Sequence, residues 1–214
     1  GALRIGVRAR TGALRERAAR LDRRITERTV ELAEANRQLE RLGRTDPLTG
    51  VDNPRSFVEQ LQKCWGDTAP PRRPLSLIAL DVDAFKAYND GYGHPAGDAC
   101  LQRVASLLRA ALADLPVRSL LARVGGEEFV VLLPDTSAAA DACRIAETLR
   151  VVVLEGAIRH EHSPVAAVVT ISLGVAATLP QAGTDPQSLI ERADAALYRA
   201  KLAGRNCVVA DPLG

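Results

Sequence analysis

The segment Leu120-Leu-Ala-Arg-Val-Gly125-Gly126-Glu127-Glu128-Phe-Val-Val-Leu-Leu133 decides the fold of this 214-residue chain. Two short hydrophobic runs, over residues 120–124 and 129–133, flank a pair of glycines and a pair of glutamates. Runs of this length indicate strands, and a glycine pair between them indicates a hairpin turn, because glycine readily adopts positive φ. We therefore predict a hairpin that presents two adjacent carboxylates at its tip.

A second acidic pair, Asp81 and Asp83, follows the buried-strand run over residues 75–80. Residues i and i+2 of a strand point to the same face, and paired carboxylates suit Mg²⁺. Glu127 and Glu128 would repel each other unless a cation or a substrate hydroxyl compensates their charge. We expect Asp81 to bind a metal ion together with the two glutamates. For Asp83, capping of the helix that follows is favoured over metal binding.

Helical and strand patterns alternate through the rest of the chain. Helices are predicted over residues 57–65, 98–112, 137–154 and 185–202, and further strands over 165–177, with an interruption at Gly174, and 207–209. Alternation of this kind with one hairpin predicts an α/β or α+β fold with a mixed sheet. The sequence contains no Gly-x-Gly-x-x-Gly or Walker motif, which argues against Rossmann and P-loop modes of nucleotide binding.

The composition narrows the class of protein. Hydrophobic residues make up 47% of the chain and charged residues 25%, which excludes wholesale disorder. Aromatic residues make up only 3%, too few for the stacking that binding of single-stranded nucleic acid needs. The four cysteines lie far apart without a Cys-x-x-Cys pair, so buried reduced thiols in a cytoplasmic protein are expected rather than a zinc site.

Residues 1–44 are predicted to form a separate basic helix that precedes the domain with the acidic pairs, over residues 45–214. Residues 1–45 contain twelve arginines, no lysine and six acidic residues. A heptad pattern from Leu14 to Leu42, broken only by Arg28, predicts a parallel coiled coil between two chains. A single solvated helix is the alternative. A DNA-binding arm is less favoured, because the charge is not gathered on one face, and no nucleic-acid partner is expected.

Arg4, Arg8 and Arg10 flank short apolar stretches at the start of the sequence. Basic residues accumulate at the cytoplasmic edge of membrane spans, so we expect a membrane anchor upstream of residue 1 in a longer protein. No apolar run within the sequence approaches the roughly 18 to 20 residues that a span needs.

Three further motifs accompany the glycine and glutamate pairs. They are Asp46-Pro-Leu-Thr-Gly50, Asp81-Val-Asp-Ala-Phe-Lys-Ala-Tyr-Asn-Asp-Gly-Tyr-Gly-His-Pro-Ala-Gly-Asp98, and Tyr198-Arg-Ala-Lys201 with Gly204-Arg205-Asn206. In this order and spacing the four motifs resemble the GGDEF family of diguanylate cyclases over about residues 45–210. The resemblance implies condensation of two GTP molecules into cyclic di-GMP, on a cyclase-like fold with a central five-stranded sheet.

The resemblance also implies roles for individual residues. Asp81, the main-chain carbonyl of Val82, and Glu128 would hold Mg²⁺ or Mn²⁺, two ions per active site, with Glu127 as a metal-linked carboxylate near the attacking hydroxyl. Either glutamate could act as the base. The residues implied to bind GTP are Asn89 and Asp98 at guanine, Lys86, Lys201 and Arg205 at the triphosphate, and Gly125 and Gly126 at the turn. Without the resemblance, Asn89 reads as a turn residue and Asp98 as a helix N-cap.

The sequence departs from the family pattern just before the turn. Many members carry an inhibitory Arg-x-x-Asp site there, but Pro116 and Ser119 occupy its places, which puts product inhibition through that site in doubt. Since one domain binds one GTP and the reaction joins two, we expect a homodimer held by the coiled coil. The alternative function is a catalytically silent relative that binds GTP or serves as an adaptor.

Overall fold

A mixed five-stranded sheet lies at the centre of the fold. Its strands are β1 (Leu75–Val82), β2 (Leu120–Arg123), β3 (Glu128–Pro134), β4 (Ile171–Thr178) and β5 (Val208–Ala210). Their order across the sheet is β2-β3-β1-β4-β5. The pairs are antiparallel except for β4 with β5, which run parallel. The predicted hairpin and the mixed five-stranded sheet are therefore confirmed.

The structure is a computed structural model that describes residues 28, 43–66, 73–136, 139–181 and 183–212. The chain divides into two units, Gly1–Gly43 and Arg44–Gly214, and the second contains the sheet and the helices that flank it. The heptads of the predicted coiled coil lie outside the described residues, apart from Arg28.

Helices cover both faces of the sheet. They are α1 (Pro54–Gly66), α2 (Phe85–Tyr92), α3 (His94–Ala113), α4 (Ala139–Glu155) and α5 (Gln187–Leu202). Alternate residues of β1 point to opposite faces, so Ile78 and Leu80 pack with α3 and α4, whereas Leu77 and Ala79 pack with α1 and α5. The predicted α/β architecture thus has two apolar cores, one on each side of β1.

The segment between β1 and β2 differs from the prediction of one helix over 98–112. The structure has two helices there, because Phe85 and Tyr88 bury one side of α2, and α3 begins at His94 with Pro95 in its first turn. Gly93 separates the helices with a φ of 83°, which only glycine adopts readily. Asn89 therefore lies within a helix rather than in a turn, and Asp98 lies inside α3 rather than at its N-cap.

The sequence pattern suggested that Gly174 interrupts a strand, but the structure shows no interruption there. It lies inside the continuous strand β4, which begins at Ile171 rather than at residue 165. A Cβ atom on Gly174 would lie 2.1 Å from the main-chain nitrogen of Leu197 on α5. Glycine is required here because the helix backbone approaches the strand too closely for any side chain.

The cysteines are all unpaired, but only Cys100 is buried, and the other three are half-buried. Burial raises the pKa of the Cys100 thiol to about 11, so this thiol is protonated at neutral pH. Among the helices in the described part of the chain, none combines the length and the apolar character that crossing a membrane requires.

Candidate active site

Asp81 and Glu128 lie opposite each other on neighbouring strands. Asp81, near the end of β1, is the register partner of Glu128 on β3 and of Ser172 on β4. Directly paired residues of antiparallel strands point to the same face of a sheet. The two carboxylates therefore leave the same face, at the end of β1 where the hairpin tip returns to the sheet.

Lys201 brings a positive charge to this pair. Its Nζ lies 2.7 Å from Oδ2 of Asp81, which is only 7% exposed. Burial raises the pKa of the Asp81 carboxyl, the ion pair with Lys201 partly offsets that rise, and the charge of Glu127 adds to it. A further cation beside Asp81 would therefore stabilise its ionised form.

The two glycines of the hairpin tip act differently from the prediction. Neither Gly125 nor Gly126 has positive φ. A Cβ atom on Gly125 would lie 2.5 Å from Oε2 of Glu128, whereas a Cβ atom on Gly126 would have no neighbour within 4 Å. Gly125 therefore leaves room for the Glu128 carboxylate. The tip is joined to β1 by the Val82 amide, which donates to the carbonyl of Glu127 at 3.3 Å.

Arg123 holds the hairpin tip in place, a role that the sequence analysis missed. Its Nε and Nη2 donate to the carbonyl of Gly126 at 3.0 and 2.7 Å. Its Nη1 donates to Asp46 Oδ1 at 3.1 Å, and Asp46 also accepts hydrogen bonds from the amide and hydroxyl of Thr49. Burial opposes ionisation of Asp46, but the hydrogen bonds from Thr49 and Arg123 outweigh it and lower the pKa. The motif at the start of the domain is thus linked directly to the tip.

Asp83 does not cap the helix that follows it. The N-cap of α2 is Ala84, with a left-handed φ of 54° and no side-chain cap hydrogen bond. The buried Asp83 carboxylate accepts hydrogen bonds from the hydroxyls of Thr170 at 2.8 Å and Ser172 at 2.6 Å, and from the amide of Asn206 at 3.1 Å. Asp83 therefore joins the end of β1 to β4 and to the connection between α5 and β5.

The two residues expected at guanine lie on neighbouring helices. Asn89 is on α2, and its Oδ1 is buried without a hydrogen-bond partner. A Cβ atom on Gly97 of α3 would lie 1.9 Å from that oxygen, so glycine provides the space that the amide occupies. Asp98, the next residue of α3, is exposed. The pair presents a buried acceptor beside an accessible carboxylate.

A cluster of rings supports α2, and no sequence pattern indicated it. His160 is buried, with its Nε2 3.2 Å from the carbonyl of Ala84 and its Nδ1 unpartnered. Its ring meets that of Tyr88 edge-on at 5.0 Å, and the ring of Tyr92 packs on Tyr88 at 4.8 Å. The cluster holds the left-handed residue at which α2 begins.

The three expected triphosphate contacts lie on separate elements. Lys86 is exposed in the first turn of α2, Lys201 lies in the last turn of α5, and Arg205 is exposed in the connection that follows α5. The structure brings Lys201 to Asp81, as described above. The side chains of Lys86 and Arg205 reach solvent.

The described residues contain no group of three or more Asp, Glu, His or Cys side chains close enough together to hold a metal ion. The expected cluster of Asp81, Glu127 and Glu128 is therefore not preassembled. The donor set nevertheless fits a divalent cation, because Mg²⁺ is usually held by one or two carboxylates with substrate phosphates completing its ligands. Asp81 and Glu128 supply two carboxylates on one face, and Gly125 leaves space beside the second.

Comparison with known proteins identifies the family of this chain. The family model described as "Diguanylate cyclase, GGDEF domain" matches residues 44–207. The chain belongs to this family. The resemblance inferred from the four motifs is therefore confirmed, and membership implies the use of a divalent metal ion.

Two curated relatives of this GGDEF domain are the response regulator PleD of Caulobacter vibrioides and the diguanylate cyclase DgcP of Pseudomonas aeruginosa. PleD is 44% identical over 169 residues, which cover 77% of this chain and 35% of PleD. DgcP is 40% identical over 162 residues, which cover 76% of this chain and 23% of DgcP. The chain therefore spans about a third or less of the length of these relatives.

Solved structures of GGDEF proteins have the same fold. The coiled coil and GGDEF domain of DgcB from Caulobacter crescentus, solved in complex with c-di-GMP, matches with a TM-score of 0.75 and 33% identity, over 89% of this chain and 98% of DgcB. Diguanylate cyclase SiaD of Pseudomonas aeruginosa, in complex with its activator SiaC, matches with a TM-score of 0.68 and 33% identity, over 98% of this chain and 80% of SiaD.

Proposed function

We propose that this chain is a diguanylate cyclase that condenses two GTP molecules into cyclic di-GMP and releases two pyrophosphates. The observation that carries the proposal is the pairing of Asp81 with Glu128 on one face of the sheet, beside Lys201, within a GGDEF domain. Opposed carboxylates beside a lysine suit a substrate that combines phosphate oxygens with a divalent cation.

Asp81, the carbonyl of Val82, and Glu128 would hold Mg²⁺ or Mn²⁺, with Glu127 beside them and two ions per active site. When bound, the metal ions polarise the α-phosphate and lower the pKa of the attacking 3′-hydroxyl. Lys201 offsets the charge of the buried Asp81 carboxylate, and its ammonium group would contact the triphosphate. The protein thus mainly positions charge around the reacting phosphate.

Guanine recognition is assigned to Asn89 and Asp98. A carboxylate accepts hydrogen bonds from the N1 and N2 donors of guanine, which adenine does not offer in that arrangement. The buried, unpartnered Oδ1 of Asn89 supports a ligand in this place, because a buried polar atom without a partner costs free energy. Lys86 and Arg205 are assigned to the triphosphate together with Lys201.

Catalysis requires two such domains, because each supplies one GTP. We place a homodimer on the coiled coil of residues 1–44, which would hold two domains at an effective concentration near millimolar. Without residues 1–42 the rate per enzyme should rise with protein concentration, as measured by product formation in a dilution series. A rate independent of dilution would show that this segment does not bring the domains together. GTP as substrate places the activity in the cytoplasm.

The direct test is incubation of the protein with GTP or ATP and Mg²⁺, followed by chromatography and mass spectrometry of the nucleotides. The proposal predicts cyclic di-GMP from GTP and no cyclic dinucleotide from ATP. Saturable GTP binding without product would identify the alternative, a GTP-binding module without catalysis, and would contradict the proposal.

A further inference from the structure

The connection between α5 and β5 has an unusual backbone. Gly204, Arg205 and Asn206 follow one another with φ values of 111°, 66° and 46°. Left-handed φ is ordinary for glycine but unfavourable for arginine, and two such non-glycine residues in sequence are rare. Backbone of this kind persists only where surrounding contacts hold it, and it is concentrated at functional sites. Residues 204–206 are called the left-handed turn below.

Asn206 is the residue through which the rest of the domain holds this turn. Its main-chain amide donates to the Asp83 carboxylate at 3.1 Å, and Asp83 is two residues from Asp81 at the end of β1. Its side-chain Oδ1 accepts a hydrogen bond of 2.8 Å from Nη1 of Arg150 on α4. The turn is therefore fixed from two directions, by Asp83 directly after β1 and by Arg150, which is 56 residues away in sequence.

Arg150 is itself held for this contact. Its Nε and Nη2 donate to the carboxylate of Glu147, one turn earlier on α4, at 2.9 and 2.6 Å. Its side chain is only 16% exposed. The guanidinium group thus uses one edge to bind its own helix and presents the remaining nitrogen to Asn206. A planar group oriented in this way fixes its partner more tightly than a flexible ammonium group would.

The left-handed turn lies between two functional elements. On its N-terminal side is Lys201, paired with Asp81, and the amide of Arg205 donates back to the carbonyl of Ala200 at 3.1 Å. On its C-terminal side the carbonyl of Cys207 accepts a hydrogen bond from Leu173 of β4. With both ends fixed, the direction of the exposed Arg205 side chain depends on the backbone conformation at residues 205 and 206.

We propose that Arg150 is a positioning residue for triphosphate binding: acting through Asn206, it maintains the left-handed turn that aims Arg205 at the phosphates. This inference rests on the proposed function, because it takes the triphosphate of GTP as the ligand of Arg205. A purely structural role for Arg150 would alter the binding of every nucleotide equally. A positioning role alters only the binding of nucleotides that carry the β- and γ-phosphates.

The test compares the affinities of GTP and GMP for the wild type, Arg150→Ala and Arg144→Ala, measured by calorimetry in the presence of Ca²⁺. Arg144 is the matched control, because it lies on the same helix and also pairs with an acidic residue three positions away, Asp141, but is 77% exposed. In Arg150→Ala we expect GTP to bind about tenfold more weakly, the effect of losing one charge-assisted contact. GMP affinity should stay within about twofold of the wild type, and Arg144→Ala should match the wild type for both nucleotides.

A second variant covers the case in which Arg150→Ala does not fold. Asn206→Gly removes the acceptor of the Arg150 hydrogen bond and tolerates positive φ, so it should reproduce the selective loss of GTP affinity. Combining Asn206→Gly with Arg150→Ala should add little to either single change, because both break the same contact.

Equal losses of GTP and GMP affinity, or no loss, would overturn the inference. These results are independent of turnover. A wild type that binds GTP but forms no cyclic di-GMP would contradict the proposed function while the ratio of GTP to GMP affinity still tests the role of Arg150. A wild type that does not bind GTP would overturn both.

Discussion

The hairpin tip and the left-handed turn both carry residues assigned to the reaction, but they are held in opposite ways. The tip contains two glycines, neither with positive φ, and it is fixed by hydrogen bonds from Arg123 and Val82 to its carbonyls. The left-handed turn has two non-glycine residues with positive φ, fixed by Asp83 and Arg150. Glycine therefore provides space at the tip, whereas long-range contacts impose backbone conformation at the turn.

The largest effect is expected where the tip meets β1. Asp81→Asn and Glu128→Gln should each lower kcat by about 10³-fold, because each removes a negative ligand for the cation that stabilises charge at the phosphate. Cyclic di-GMP formation measures this directly. Glu59→Gln is the control, since Glu59 is exposed on α1 and pairs with Arg55 of its own helix. Near-normal kcat in either active-site variant would show that the tip does not carry the chemistry.

The claim that Gly125 provides space can be tested within the tip itself. Gly125→Ala should reduce activity by about 10- to 100-fold, because its Cβ would lie 2.5 Å from Oε2 of Glu128 and would push that carboxylate out of place. Gly126→Ala is the matched control and should remain within about threefold of the wild type, since its Cβ meets no atom within 4 Å and its φ is not positive. Equal effects of the two substitutions would contradict the explanation from space.

Loss of a contact that holds the left-handed turn should lower the stability of the domain. Asp83→Ala leaves the Thr170 and Ser172 hydroxyls and the Asn206 amide without their buried acceptor, and should lower the free energy of unfolding by about 2 to 4 kcal/mol. Urea denaturation measures this change. Asp90→Ala, at an exposed position of α2, should change the stability by no more than about 0.5 kcal/mol. A loss below about 1 kcal/mol in Asp83→Ala would mean that Asp83 does not hold the turn.

The smallest effect concerns Ala84, another left-handed residue held from a distance, in this case by His160. Burial lowers the pKa of His160, and the nearby His162 lowers it further, although the contact with the Ala84 carbonyl opposes the shift. The unfolded chain therefore takes up a proton before the folded one does. Stability should fall as the pH drops from about 6.5 towards the folded-state pKa. The difference between the thermal midpoints at about pH 5.5 and pH 7.5 should be smaller in His160→Gln than in the wild type. An equal difference in the two proteins would show that protonation of His160 does not destabilise the fold.

The sequence was sufficient to predict the features that depend on residues close together in the chain. Hydrophobic runs around the glycine pair predicted the hairpin, and strand periodicity with the family motifs placed Asp81 and Glu128 together. Helix α2 was missed because its apolar residues are few and its sequence contains Asn, Asp and Gly, which are typical of turns.

The remaining features depend on contacts between residues far apart in the chain. Asp83 looked like a helix cap, but its partners Thr170 and Asn206 are 87 and 123 residues away. Nothing local to Arg150 marks it as a partner of Asn206. Gly125 was correctly predicted to lie in the turn, but positive φ was the wrong reason. Its small size is needed because the Glu128 carboxylate approaches it in the folded hairpin.

The most direct test of the whole account is the stoichiometry of the reaction. GTP and Mg²⁺ are incubated with the wild type and with Asp81→Asn, and cyclic di-GMP and pyrophosphate are quantified together over time. The account predicts two pyrophosphates for each cyclic di-GMP in the wild type, and neither product above background in the variant. Unchanged GTP with the wild type, phosphate release without cyclic di-GMP, or equal product from the variant would contradict it.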